Sequence, residues 1–118
     1  MLDIMAKYVP FLSVEEGDDL IVSFALGEHA STSLTLQRTP KFESLLPEEE
    51  RGVSVDSGNG DSTERELLVA VRWGTEFVSL KSTRREYTLD IRDVRKDEII
   101  EAKAVLMKMN FDKRLQVR

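Results

Sequence analysis

The side chains that most often carry out catalysis or bind metals are sparse in this chain. It has one histidine, His29, which follows Glu28, and it has no cysteine. General acid–base catalysis needs a partner group that positions the base and tunes its pKa, and no residue near His29 in the sequence supplies one. We therefore interpret His29 as a solvated loop residue. A metal site built from His29, Glu28 and nearby acids is the weaker alternative.

The polar segment 56–61 is the second candidate for chemistry. It has the Asp, Asn and Gly content of a calcium loop, but it lacks the alternating ligands and closing Glu of an EF-hand. Its glycines are not followed by the lysine and hydroxyl of a phosphate loop, and no nucleophile motif surrounds any serine or threonine. The sequence therefore predicts a protein that is not an enzyme, with no catalytic residue, no metal site and no cofactor.

Charge is the strongest remaining signal. The net charge is −5, and it is unevenly distributed, because residues 1–80 carry 6 Lys/Arg against 15 Asp/Glu, whereas residues 81–118 carry 11 against 7. An acidic body disfavours nucleic acid, since binding to phosphates depends on Lys and Arg, and it favours a basic protein partner. The alternative is that the acidity only keeps the protein soluble.

Acidic residues in the middle of the chain form the candidate binding surface. The run Glu48-Glu49-Glu50 is the densest part, and Glu43 and Glu66 can join the same patch. The residues that we expect to bind the partner are Glu48, Glu49, Glu50, Asp56, Asp61 and Glu64. The alternative is that these carboxylates are scattered, solvated charges.

A basic turn offers a second surface. Lys81, Arg84 and Arg85 follow one another closely, with Arg92, Arg95 and Lys96 further along. Such a turn can bind phosphate groups, or it can protect a sheet edge against unwanted pairing.

The element that must position these residues is a three-stranded antiparallel meander. Apolar and β-branched residues predict strands over 67–73, 76–80 and 87–91, with Gly74-Thr75 as the first turn. Because side chains alternate along a strand, Val69, Val71 and Trp73 are expected on one face of the first strand, and Leu68, Ala70 and Arg72 on the other.

The flanking segments complete the prediction. Residues 20–26 predict a central strand that forms a hairpin with residues 31–38, and residues 9–14 and 52–56 predict further strands. Short helical turns are expected between residues 41 and 51, where Phe42, Leu45 and Leu46 anchor the chain. A helix capped by Asp93 or Asp97 is expected to end near Asn110. Its buried stripe consists of Ile99, Ala102, Leu106 and Met109.

The predicted fold class is α+β: an antiparallel sheet, or a small β-sandwich or barrel, of six to seven strands with one C-terminal helix packed on it. The length of the chain predicts a single domain over residues 1–118. No apolar run is long enough to span a membrane, and no secretory signal is evident. These features predict a cytoplasmic protein that does not bind membranes.

The order of several segments resembles a known family. A strand over 20–26 is followed by Ser33-Leu34-Thr35-Leu36-Gln37-Arg38, an acidic connection, Gly52-Val53-Ser54-Val55, a polar loop and a hairpin over 67–80. This order is similar to the bacterial immunity protein family ten of polymorphic toxin systems, over residues 11–80. The resemblance implies a small cytoplasmic protein that binds and neutralises a cognate toxin domain.

Besides an enzyme that uses carboxylates alone, which would need two buried Asp or Glu with shifted pKa values in one cleft, two other classes of function stay open at this point. One is a structural or regulatory module that self-associates, as a homodimer through a sheet edge or the helix. The other is a small-ligand-binding domain of pleckstrin-homology-like architecture, suggested by the element order and the basic turn.

Overall fold

The structure is a computed structural model that describes residues 6–58 and 65–118. These ranges contain nine β-strands, one α-helix and two short 3-10 helices. The strands are β1 Lys7–Tyr8, β2 Leu12–Glu16, β3 Leu20–Leu26, β4 Thr32–Arg38, β5 Ser54–Asp56, β6 Leu68–Trp73, β7 Phe77–Ser82, β8 Glu86–Asp90 and β9 Gln116–Val117. The helix α1 is Lys96–Met109, and the first and second 3-10 helices are Pro40–Leu45 and Glu48–Glu50.

The strands form two sheets. One sheet has the order β1-β8-β7-β6-β9, and the other has the order β2-β3-β4-β5. The predicted α+β class is confirmed, and most strand pairs are antiparallel, but a single sheet of six to seven strands is not what forms. The number of strands is larger than predicted because β1 and β9 add parallel pairs at the two edges of the first sheet. Each is two residues long, too short to show an apolar pattern.

Backbone hydrogen bonds join the two sheets on both sides. On one side, residues 7–16 run from β1 to β2, and the amide of Gly27, which follows β3, donates to the Tyr8 carbonyl of β1 at 2.8 Å. On the other side, the Leu68 amide donates to the Val53 carbonyl at 2.8 Å. Buried side chains from both sheets and from α1 therefore belong to one hydrophobic cluster.

The predicted meander is confirmed as β6, β7 and β8, but the predicted faces of β6 are wrong. A β-bulge lies between Leu68 and Ala70. Because a bulge adds one residue to its strand, Leu68 and Val71 are both buried while Val69 is exposed. The β3–β4 hairpin and the edge position of β2 agree with the sequence, with boundaries that differ by a few residues.

The apolar stripe of α1 packs on the core as predicted. Ala102, Leu106 and Met109 are buried, and Ile99 packs against them while partly exposed. The predicted cap is wrong, because Asp97 lies inside the first turn and Arg95 occupies the N-cap position without a side-chain hydrogen bond. Asp97 is still favourable there, since a negative charge stabilises the positive end of the helix dipole.

Asn110 ends α1 in the predicted position, with a backbone conformation outside the left-handed region. Its φ is −94°. Its side-chain amide instead donates to the Leu115 carbonyl at 2.9 Å and accepts from the Leu115 amide at 3.0 Å. This pair of bonds directs the chain into β9.

Gly74 is required for the close approach of backbone in the β6–β7 turn. Its amide donates to the Phe77 carbonyl at 2.8 Å, and a Cβ at this position would lie 2.8 Å from the same oxygen. We expect Gly74→Ala to lower the free energy of unfolding by about 1–3 kcal/mol, measured by urea denaturation. Gly17→Ala is the control, because no atom lies within 4 Å of its Cβ position. Equal unfolding midpoints for the two variants would contradict the argument that position 74 requires glycine.

Candidate protein-binding surface

A buried arginine holds the region around the candidate acidic residues. Arg38, the last residue of β4, is 3% exposed. Its guanidinium donates to both Glu43 oxygens at 2.6 and 2.7 Å, to both Asp112 oxygens at 3.0 and 2.7 Å, and to the Met109 carbonyl at 2.7 Å. All five of its N–H donors are thereby used. Arg38 thus ties β4, the first 3-10 helix and the C-terminal end of α1 together.

The surroundings keep Arg38 charged and ordered. Burial alone would lower its pKa, but the hydrogen bonds that Arg38 donates to Glu43 and Asp112 more than offset burial, and the pKa is raised. The Phe111 ring covers the guanidinium, with 4.1 Å between the arginine carbon and the ring centroid. Such stacking adds a cation–π attraction. Phe111 itself stays half exposed and does not enter the core.

The first 3-10 helix turns its apolar side chains outward. The sequence predicts that Phe42, Leu45 and Leu46 anchor this segment, and that interpretation is wrong for the first two, which are 53% and 79% exposed. Glu43 takes the inward position instead and is buried against Arg38. This segment is therefore anchored by the ion pair between Glu43 and Arg38.

A cleft lies beside this exposed pair. Its volume is about 430 Å³, and its walls come from β4, the first 3-10 helix, the start of β5 and residue 65. The side chains that line it include Gln37, Phe42, Leu45, Leu46, Ser54 and Arg65.

The predicted acidic residues are only partly brought together. Glu48, Glu49 and Glu50 form the second 3-10 helix and are all exposed. Asp56 is exposed at the end of β5, where it accepts a hydrogen bond from the Gly58 amide at 2.9 Å. Within the described ranges, no hydrogen bond or ion pair joins Asp56 to the second 3-10 helix. Asp61 and Glu64 lie outside the described residues.

Two acids that the sequence groups with this patch are internal. Glu43 is 8% exposed and Glu66 is 6% exposed. Glu66 accepts hydrogen bonds from the Ser82 hydroxyl at 2.5 Å and the Tyr87 hydroxyl at 2.7 Å. Neither carboxylate is available to a partner, so the interpretation of both as surface charges is wrong.

A second acidic turn lies next to the first 3-10 helix, and sequence reasoning missed its importance. The end of β2 exposes Glu15 and Glu16, and the β2–β3 turn that follows exposes Asp18 and Asp19. The Thr39 hydroxyl donates to Asp19 at 2.6 Å, and the Lys41 ammonium lies 3.4 Å from Asp18. Four carboxylates within five residues are a signal that a local charge count would have found.

We call these two groups together the acidic strip. It comprises Glu15, Glu16, Asp18 and Asp19 at the junction of β2 and β3, and Glu48, Glu49 and Glu50 after the end of the first 3-10 helix. Of the first group, Asp18 and Asp19 contact the start of that helix, whereas Glu16 pairs with Lys108 of α1. Two exposed apolar side chains, those of Phe42 and Leu45, lie between the two groups in the chain.

The basic turn is largely engaged in intramolecular pairs. Arg85 lies 3.8 Å from Glu66, Arg92 lies 2.8 Å from Asp90, and Arg95 lies 2.9 Å from Asp97. The edge-protection interpretation stays a prediction, because β1 pairs only with Leu89 and Asp90 of β8 and not with the residues of β8 that follow the basic turn. His29 is exposed, and among the described residues no group of three or more His, Cys, Asp and Glu is placed to hold a metal ion.

Tyr87 provides a test of the internal Glu66 cluster. Burial and the hydrogen bond to Glu66 raise the pKa of Tyr87 to about 12. Because the folded pKa exceeds the ordinary value of 10.0, this stabilisation is complete below pH 10 and is lost as pH rises toward 12. We expect the urea midpoint of the wild-type chain to fall over this range, and that of Tyr87→Phe to fall less. Parallel pH profiles would contradict the assignment.

Comparison with known proteins identifies no family. No family model, no curated protein and no solved structure matches this chain. Within the described ranges, no helix has the length and hydrophobicity needed to cross a membrane. A functional assignment therefore rests on the geometry and charge of the surface itself.

Proposed function

We propose that this chain is a non-catalytic protein-binding domain that binds a basic protein through the acidic strip. The observation that carries the proposal is the pair of contacts from Thr39 to Asp19 and from Lys41 to Asp18. These contacts hold an exposed acidic turn beside the first 3-10 helix, whose other end leads into Glu48–Glu50. Two acidic groups thus flank a single short segment.

The charge distribution supports a partner of opposite sign. Residues 1–80, which include the whole strip, carry 6 Lys/Arg against 15 Asp/Glu. Complementary charge accelerates association and suppresses binding to wrong partners. It also makes the association rate fall as salt rises, because exposed charges are screened over about 10 Å at 0.1 M salt.

In its specific form, the proposal is that the partner is a toxin domain and that this chain neutralises it in the cytoplasm. The resemblance to immunity proteins supports this form. Toxin domains that attack nucleic acid tend to be basic, so an acidic inhibitor would be complementary to them. Asp56, Asp61 and Glu64 stay predicted contributors to the same surface.

The test is quantitative capture of proteins from cells of the source organism with two matched charge-reversed baits. The first bait carries Glu48→Lys, Glu49→Lys and Glu50→Lys. The second carries Glu28→Lys, Glu76→Lys and Glu101→Lys, which are exposed positions outside the strip. Both change the net charge equally, so they separate a local surface from overall charge.

We expect the wild-type chain and the second bait to capture the same basic protein, in amounts that fall as salt rises. The first bait should capture at least about tenfold less. Equal losses in the two baits would contradict a localised surface, and no loss in either would contradict binding through these carboxylates.

Self-association is a second candidate, favoured by one observation. Ile100 and Met107 are 67% and 64% exposed, and with Ala104 they form a stripe on the face of α1 opposite the core. A two-fold pairing of this stripe would bury it. Light scattering that gives twice the monomer mass, abolished by Ile100→Glu, would favour this candidate.

A further inference from the structure

We propose that the first 3-10 helix is the apolar anchor point of the interface, where Phe42 and Leu45 receive one large apolar side chain of the basic partner. This inference rests on the proposed function of the acidic strip and adds to it the chemistry that the partner must present. That chemistry is an apolar or aromatic side chain flanked by lysine or arginine.

The geometry of the helix places the two side chains together. Phe42 and Leu45 are three residues apart in a 3-10 helix, where side chains at this spacing eclipse each other. Leu45, at 79%, has the highest exposure among the large apolar side chains of the described residues. Both side chains also line the cleft of about 430 Å³, which has room for a large side chain of a partner.

The first 3-10 helix is anchored to the protein interior through Glu43, which directly follows Phe42. Both carboxylate oxygens of Glu43 accept hydrogen bonds from the buried Arg38. The Leu46 amide donates to the Glu43 carbonyl at 2.9 Å, which closes the turn. An anchor that is ordered before binding avoids much of the entropy loss of association. Arg38 is accordingly a positioning residue for this interface.

Charge complementarity selects the occupant. The acidic groups on both sides would repel a second copy of the same surface, because like charges facing each other across an interface are unfavourable. The cleft itself is lined by Arg65, and Lys41 lies 5.5 Å from the centroid of the Phe42 ring while it pairs with Asp18. The basic residues of the partner segment therefore meet the strip, and only its apolar side chain enters the cleft. Apolar anchors of this kind typically carry much of the binding energy, while the charged rim contributes specificity.

The experiment is an NMR titration of the isotope-labelled full chain with three short synthetic peptides. The first is lysine-rich with a central tryptophan, the second has alanine in place of the tryptophan, and the third keeps the tryptophan but has glutamate for every lysine. The variant for the test carries Phe42→Ala and Leu45→Ala. The control carries Ile100→Ala and Met107→Ala, which removes comparably exposed apolar side chains from α1.

We expect the first peptide to shift the amide signals of residues 37–46 and to bind at least about fivefold more tightly than the second. The test variant should bind the first and second peptides with equal affinity, and the control variant should keep the preference for the first peptide. If the test variant keeps it, the anchor is elsewhere and the inference is overturned, although the preference for basic peptides still supports the proposed function. If the acidic peptide binds as well as the basic ones, the proposed function is overturned.

Discussion

Replacing Arg38 with methionine is expected to lower the free energy of unfolding by about 3–5 kcal/mol. The substitution leaves Glu43, whose side chain is 10% exposed, without the cation that compensates its burial. It also removes the hydrogen bonds to Asp112 and to the Met109 carbonyl at the end of α1. The measurement is urea denaturation at neutral pH, followed by the fluorescence of Trp73, the chain's one tryptophan.

Arg95→Met is the matched control for this variant. Arg95 pairs with Asp97 at 2.9 Å, and their side chains are 75% and 60% exposed. Exposed ion pairs contribute about 0–1 kcal/mol. A loss of stability for Arg38→Met no larger than that for Arg95→Met would show that the buried cluster does not hold the fold together.

The same cluster is expected to make stability fall steeply in acid. Burial would raise the pKa of Glu43, but hydrogen bonds and charge from Arg38 lower it below its ordinary value. The hydrogen bonds from Arg38 are also the main cause that lowers the pKa of Asp112. Because both folded pKa values lie below the unfolded ones, this stabilisation is present above about pH 4 and is lost as pH falls through the folded values.

The measurement is the urea midpoint as a function of pH, from neutral to strongly acidic, for the wild-type chain and for Arg38→Met. The wild-type midpoint should fall more steeply below about pH 4, since in the variant no buried cation favours the charged carboxylates. Identical slopes for the two chains would mean that other carboxylates dominate acid unfolding.

Elements with a local apolar pattern could be predicted from the sequence. The β6–β7–β8 meander, the β3–β4 hairpin and the buried stripe of α1 each repeat apolar residues at the period of their own geometry. The pairings of the edge strands β1 and β9 could not be predicted, because they join distant segments. The bulge in β6 lies in a local hairpin, but it is one extra residue that interrupts the strand period instead of repeating it.

The candidate binding surface could likewise be predicted only in part. A charge count finds Glu48–Glu50, but it cannot distinguish these exposed acids from Glu43, which is buried. Glu43 is buried against Arg38, and Arg38 also contacts Asp112, which lies 74 residues after it in the chain. Phe42 and Leu45 are apolar, so composition places them inside. They are exposed because Glu43 takes the inward position in the same turn. Burial that depends on a distant partner leaves no local pattern.

The most direct test of the central claim is zero-length carbodiimide cross-linking, which joins a carboxylate to a lysine that it contacts, followed by mass spectrometry. The reaction is run on the chain in an extract of its source cells. The intramolecular link between Asp18 and Lys41, which lie 3.4 Å apart, is the internal control. Our account predicts links from the acidic strip to lysines of one other protein. If the Asp18–Lys41 link forms but the strip links to no other protein, the proposed binding surface is wrong.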